Sequence, residues 1–222
     1  SLEYSEARGF GSGVAACLGN LGRITLLQGD LTTAHYFLQQ AVATATVGIL
    51  PTVLAKTKPI LALTTLYHYD TIEARRLLLE SLAIWTNIRD KLHLSHTCIY
   101  LAETALWENK PEEAEQWLVQ CLNYHFDPRW IGIAMVNCLF VAARLAMMKQ
   151  HYQHAVTLFS LAEMTRQRAY CTLVEPVRAQ VDAELAKVRA LLDPVVFAEA
   201  FTRGQQIPLT DVFTIMLVQA PP

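Results

Sequence analysis

Histidine spacing is the first feature of this sequence that suggests chemistry. His93 and His96 lie three positions apart, as do His151 and His154. On a helix this spacing places each pair on one face, where two imidazoles can bind a metal ion. A complete site needs two further ligands, and the nearest thiol, Cys98, falls at a position expected in the core. We therefore interpret the histidines as surface or turn residues and predict neither a metal site nor a cofactor.

The remaining polar groups also lack a catalytic pattern. Glu112, Glu113 and Glu115 form an acidic first turn, which complements the dipole of a helix. No phosphate-binding GxxxxGK[ST] motif occurs, and no Ser–His–Asp grouping can be inferred without a fold that assembles it. The sequence therefore predicts a protein that is not an enzyme. An enzyme or metal protein with a site in a groove is the less favoured alternative.

A repeated helix pair is the element that organises the chain. Residues 18–42 read as two amphipathic helices joined by a turn at Gly29-Asp30. Small residues are needed where two antiparallel helices approach closely. The anchor alanines of four copies are spaced by 40, 40 and 41 residues, and a small residue lies twelve positions before each anchor. The anchors are Ala34, Ala74, Ala114 and Ala155, and the earlier small residues are Gly22, Ala62, Ala102 and Ala143.

This arrangement is the tetratricopeptide pattern with longer helices, since the standard repeat has about 34 residues. It predicts an all-α, right-handed superhelical α–α solenoid. We expect helix pairs at 12–48, 51–88, 91–125 and 129–169, which together fill 12–170. Residues 1–11 are expected to be the tail of a preceding element of a longer protein.

Two parts of the array depart from the regular repeat. In the second copy, Lys58 and Ser81 replace the apolar and small residues of the first copy, and Pro59 is expected to kink or restart the first helix. Residues 171–222 are expected to form capping helices, because an array must cover its last apolar face. Within this cap, Gly204 is expected to end a short helix.

Composition and charge limit the classes of partner. Hydrophobic residues make up 53% and charged residues 17% of the chain, which fits a two-layer helical array and leaves room for an apolar interface or self-association. The net charge of −2, without a basic stripe, disfavours direct binding of nucleic acid by this chain.

Compartment and membrane association can also be predicted. The five cysteines are scattered and show no CxxC spacing, which fits a reducing cytoplasm. The apolar run at 130–148 is interpreted as a buried helix rather than a membrane span, because Asn137 and Arg144 interrupt it and it lies in register with the fourth repeat.

A more specific resemblance appears toward the end of the chain. The third repeat, LAIWTNIRDKLHLSHTCIYLAETALWENKPEEAEQWLVQCL, and the segment from Leu158 to Leu217 resemble the helical arrays of bacterial LuxR-type and AfsR-like regulators of the STAND class. The matching residues near the end are Phe197, Ala200, Phe201, Gly204 and Leu209. The resemblance implies a scaffold or sensor region of a larger signalling ATPase that regulates transcription.

The first helix of each pair is expected to line a concave binding face. Side chains that point away from the partner helix should face this groove, and they mix aromatic residues with a few charges. Such a surface suits an extended peptide or helix with apolar anchors, or other domains of the same protein folding back. The alternative for any one residue is packing on the cap or on a neighbouring repeat. The predicted residues are Asn20, Arg23, Lys56, Tyr67, His96, Tyr100, Glu103, Trp107, Asn137, Phe140, Arg144 and Met148.

Overall fold

The computed structural model describes residues 2–124 and 132–217, and this part of the chain is helical with no strand. Consecutive helices pack as pairs, so the predicted all-α fold is confirmed. A short 3₁₀ turn at Leu209–Asp211 precedes the last helix. The helices are α1 (Leu2–Leu27), α2 (Leu31–Val47), α3 (Pro51–Tyr67), α4 (Thr71–Ile88), α5 (Lys91–Trp107), α6 (Pro111–Asn123), α7 (Ile133–Met148), α8 (Tyr152–Arg168), α9 (Glu175–Leu191), α10 (Pro194–Gln206) and α11 (Val212–Leu217).

Seven helix ends in the described chain share one turn geometry, and they are twenty residues apart except between Asn109 and Gln150. After α1 the N–H of Gly29 donates to the carbonyl of Leu26 and that of Asp30 to Thr25, both at 3.0 Å. Together these bonds form a Schellman motif, which requires a left-handed residue just past the helix. Gly29 adopts that conformation at φ 86°. Non-glycine residues adopt it at the later ends, namely Ile49, Tyr69, Arg89, Asn109, Gln150 and Tyr170.

Aspartates start several of the helices. The carboxylates of Asp30 and Asp70 each accept a hydrogen bond from the backbone N–H three residues on, at 3.0 Å. Asp90 does the same at 3.1 Å, and Asp193 caps α10 by accepting from the N–H of Val195 at 2.8 Å. These caps satisfy N–H groups that have no partner within the helix. The turn that the sequence places at Gly29-Asp30 therefore lies where predicted.

The chain divides into two compact units, residues 1–100 and 101–222. In the first unit, α1 packs on α2 and α3 on α4. The anchor residues Ala34 and Ala74 are wholly buried. Gly22 shows how close the first pair is, because a Cβ at that position would lie 2.6 Å from Cγ of Leu38. The small residues of the repeat therefore set the approach of the helices, as the pattern predicts.

Of the two predicted effects of Pro59, a kink or a restart of the helix, the restart is wrong, since α3 runs from Pro51 to Tyr67 through Pro59. Proline has no N–H, so it cannot donate to the carbonyl four residues earlier, that of Ala55. Two side chains of α4 satisfy this carbonyl instead: the hydroxyl of Ser81 donates to it at 2.8 Å and the indole N–H of Trp85 at 3.2 Å. The two irregular residues of the second repeat, Pro59 and Ser81, thus compensate each other.

The second unit contains the pair α7–α8, with α9 and α10 packed against α8. The prediction that Gly204 ends a helix is wrong, because Gly204 lies within α10 and is buried. A Cβ at Gly204 would lie 2.3 Å from the carbonyl oxygen of Thr157, so the residue is a contact glycine between α10 and α8. The hydroxyls of Thr157 and Ser160 donate to the carbonyls of Ala200 and Phe201 at 3.2 and 2.7 Å, which fastens α10 to α8.

The helix that was expected to begin at residue 12 starts earlier in the chain. α1 begins at Leu2, so residues 2–11 and 12–27 form one continuous helix. That residues 1–11 are the tail of a preceding element stays a prediction. α6 ends at Asn123, and α7 is described from Ile133. The predicted limits at 125 and 129 lie outside the described residues. Within the described part of the chain, no helix is both long and apolar enough to cross a membrane.

Candidate functional site

The predicted binding residues of the first unit lie on α1, α3 and the start of α5. Asn20 and Arg23 are exposed on α1, and Lys56 is exposed on α3. Tyr67, at the end of α3, is half-buried. These side chains place two cations and one amide at the surface of the first unit, and Tyr67 adds a partly covered aromatic ring on α3.

His96 and Tyr100 are more enclosed, because both are half-buried on α5. Burial lowers the pKa of His96 and the nearby His93 lowers it further, whereas Asp90 partly opposes this effect, so the environment favours the neutral imidazole. The His93 ring stacks on Trp85 with centroids 4.2 Å apart, and its Nδ1 lies 2.9 Å from Oδ2 of Asp90. His93 therefore contacts Trp85 and Asp90, and its ring also lies edge-on to that of His96 with centroids 6.2 Å apart.

In the second histidine pair, the environment also lowers the pKa of one imidazole. Burial lowers the pKa of His154, and His151 adds to the effect. Among residues 2–124 and 132–217, no three histidine, cysteine, aspartate or glutamate side chains converge in a way that could hold a metal ion.

The predicted residues of the second unit include a charged network around Arg144. The Arg144 Nε on α7 donates to Oε1 of Glu184 on α9 at 2.9 Å, and its guanidinium also pairs with Glu103 on α5. The indole N–H of Trp107 donates to the same Glu103 oxygen at 3.0 Å. With the Gln180 amide turned so that its oxygen accepts, that oxygen lies 2.6 Å from Nη2 of Arg144. One cation therefore links three helices, α5, α7 and α9.

The network holds two carboxylates against one guanidinium. Burial would lower the pKa of Arg144, but Glu103 and Glu184 outweigh that effect and hold the pKa above its usual value. Burial raises the pKa of Glu184, and its contact with Arg144 only partly offsets this rise. The second oxygen of Glu184 is buried without a hydrogen-bond partner within the described chain. The local charge is thus one negative unit when both acids are ionised, and Arg144 joins α9 to α5 and α7.

The prediction that Phe140 faces a groove is wrong. The Phe140 side chain is buried, and its ring packs against that of Phe159 on α8 with centroids 6.3 Å apart. The position therefore faces the partner helix. The prediction was sensitive to the register, since a shift of one residue along a helix turns the side chain by about 100°. Asn137 and Met148, on the same helix, are half-buried.

Sequence reasoning missed Glu184 and Gln180. Both lie on α9, in the segment that was expected to act only as a cap, and they are spaced by one helical turn. A pair of polar residues at that spacing is ordinary on an exposed helix face. Only the packing of α9 beside α7 brings them to Arg144, so no local signal distinguishes them.

A comparison with protein families supports the reading of the first helix pair. Residues 14–46, which cover about half of α1 and nearly all of α2, match the family model described as Tetratricopeptide repeat. The chain contains a tetratricopeptide repeat. No curated protein matches the chain. Tetratricopeptide repeats generally mediate binding to proteins or peptides, and the wholly buried anchors Ala74, Ala114 and Ala155 extend the same spacing through the chain.

Proposed function

We propose that this chain is a non-catalytic protein-binding scaffold. The tetratricopeptide match at 14–46 supports this class, because the repeat presents side chains of its first helices to a partner. One structural observation carries the proposal: Asn20, Arg23 and Lys56 are exposed on the first helices α1 and α3. These side chains are available to a ligand.

The chemistry of this surface favours a particular kind of partner. Arg23 and Lys56 are cations, and Tyr67 offers an aromatic face that is already partly desolvated. An extended peptide or a helix that carries acidic groups and an apolar anchor would complement all three. The acidic groups would accelerate association, while the anchor would supply most of the affinity.

We place this scaffold within a larger protein. The likeness of the third repeat and of residues 158–217 to bacterial STAND regulators supports a role as the helical array of a signalling ATPase that regulates transcription. In that setting the partner is another domain of the same protein, and binding would couple the array to the activity of the ATPase.

A pull-down with the other segments of the full-length protein tests this function. Arg23→Glu together with Lys56→Glu should weaken capture at least about tenfold, since two charge-complementary contacts become repulsive. Lys187→Glu is the matched control, because it reverses an exposed cation on α9, in the second unit and outside the predicted binding residues. If the double variant is captured as well as wild type while its circular dichroism spectrum shows unchanged helix content, this surface is not the binding site.

Arg144 is a poor residue for the same test. Its guanidinium already pairs with Glu103 and Glu184, so Arg144→Ala would leave two partly buried carboxylates without a cation. That change is expected to loosen α9 from α7, and a loss of binding would then report on folding rather than on contact with a partner.

A further inference from the structure

Two buried cysteines of the second unit are in contact across neighbouring helices. Cys121 lies in the last turn of α6, and Cys138 lies within α7. Both side chains are 0% exposed, and their thiols are hydrogen-bonded to each other. The two residues are seventeen positions apart in the sequence. The packing of α6 beside α7 therefore brings the two sulfur atoms together.

This contact keeps the thiols unreactive while the two helices are packed. The hydrogen bond with Cys138 raises the pKa of the Cys121 thiol, and burial raises it further. Because the thiolate is the reactive form of cysteine, a raised pKa slows its reactions, and burial also restricts access to the sulfur. The pair is therefore stable as two thiols until α6 moves away from α7.

The burial pattern of α6 favours such a movement. The helix has 13 residues, and its buried side chains are Ala114, Leu118 and Cys121. The next second helix, α8, buries nine side chains. Segments with few buried contacts open locally at a lower free energy than the rest of a domain, and helix ends open first. Cys121 is two residues from the end of α6 at Asn123, so opening of the last turn exposes its sulfur.

We propose that Cys121 and Cys138 form a reversible disulfide that makes the contact between α6 and α7 sensitive to oxidation. This inference goes beyond binding through the first unit, because it assigns a covalent modification to the second unit. A disulfide between two helices that are already packed requires no new approach of the backbones. In a compartment rich in thiols, such a bond is transient and reports the redox state.

The oxidant is a small-molecule disulfide, and the reaction is two successive thiol–disulfide exchanges. When the last turn of α6 opens, the Cys121 thiolate attacks one sulfur of the small disulfide, and the other sulfur leaves as a thiolate. The Cys138 thiolate then attacks Sγ of Cys121 and releases the second small thiolate. The two protons of the protein thiols end on the two small thiols. The protein loses two electrons, the small disulfide gains them, and excess small thiol reverses the reaction.

Peptide mapping of the 222-residue chain tests this inference without any substitution. The protein is incubated with excess oxidised glutathione, blocked with N-ethylmaleimide, and digested with trypsin together with an endoprotease that cleaves after glutamate. Cys121 is then in peptide 116–129 and Cys138 in peptide 130–144. We expect these peptides to be joined by a disulfide and to separate in dithiothreitol. Cys17 is exposed and should carry glutathione, which verifies the treatment.

Hydrogen exchange of the α6 amides measures the consequence for the helix. Exchange in the last turn of α6 should slow at least about tenfold after oxidation, because the disulfide limits the freedom of the open state. Cys121→Ala should abolish this change. Alanine fits at this position, since the first and fourth copies of the repeat have Ala41 and Ala162 there, both wholly buried. Cys98→Ala is the matched control, because it removes another wholly buried thiol and should respond as wild type does.

Two results would overturn the inference. In the first, Cys121 and Cys138 remain free thiols or carry only glutathione after the treatment. In the second, the linked peptides form but the α6 amides exchange as fast as in the reduced protein. Neither result bears on the proposed binding through Arg23 and Lys56, because those residues lie in the first unit and their test measures capture of a partner.

Discussion

The hydrogen bonds around Pro59 lead to a quantitative prediction for the second repeat. Ser81→Ala removes the 2.8 Å bond to the carbonyl of Ala55, in a site where Ser81 is wholly buried. Trp85 still donates at 3.2 Å, so one of two donors is lost rather than both. The expected loss of stability is about 1–1.5 kcal/mol, the upper part of the usual range for one intramolecular hydrogen bond.

The same substitution should cost less when Pro59 is replaced. In Pro59→Ala the restored N–H at position 59 can donate to the Ala55 carbonyl, as in any regular helix. Ser81→Ala should then cost about 0.5 kcal/mol or less, which gives a coupling energy near 1 kcal/mol between the two positions. This coupling follows from geometry alone, because Pro59 and Ser81 meet at one carbonyl.

Native-state hydrogen exchange of α3 and α4 amides is the appropriate assay. It reports the opening free energy of the first unit by itself, whereas a global melt would average over two compact units. Ser160→Ala is the control, since its hydroxyl donates to the carbonyl of Phe201 in the second unit at 2.7 Å and should be additive with Pro59→Ala. A coupling between Pro59 and Ser81 below about 0.5 kcal/mol lies within ordinary additivity and would refute the argument.

Three further predictions concern packing, backbone conformation and pH. Gly204→Ala should destabilise the contact of α10 with α8 by about 3 kcal/mol in urea unfolding, because its Cβ would meet backbone at 2.3 Å; Gly13→Ala, which has nothing within 4 Å, should not destabilise the chain. Ile49→Gly should stabilise it by about 1 kcal/mol, since a β-branched residue is held there at φ 51°, and an unchanged or lower melting temperature would argue against strain. Burial raises the pKa of Glu184 above its unfolded value of 4.5, so its contribution to stability is greatest below that pH and is lost as pH rises through the folded pKa. The stability difference between wild type and Glu184→Gln should therefore fall as pH rises over that window, and a flat difference would indicate that Arg144 compensates fully for burial.

The arrangement of helices could be predicted from the sequence because it depends on local and periodic features. Alanine anchors at Ala34, Ala74, Ala114 and Ala155 require close helix approach wherever they occur, and all four are wholly buried. Aspartates such as Asp30 and Asp70 cap the following helix through contacts only three residues long. Such signals act within one or two turns, so they can be read without knowing what lies beside them.

Other features depended on partners distant in sequence. Pro59 suggests a broken helix when read alone, and only the approach of Ser81 and Trp85 shows that its missing hydrogen bond is replaced. The residue type of Gly204 suggests a helix end. Only the contact with α8 shows that the position requires glycine because α8 leaves no room for a side chain.

The candidate binding residues show the same division. Their assignment to first helices followed from the repeat, but exposure of each side chain depended on rotation about the helix axis, and Phe140 is turned into the core. Arg144 could be placed on α7 from the pattern. Its pairing with Glu184, forty residues later in the sequence, depends on the packing of α9 beside α7. Spacing therefore determined which helices form and pair, because hydrogen bonds and close packing within a pair are local. Tertiary structure alone decided which polar groups are satisfied and which faces stay open, because burial depends on every element that packs against a surface.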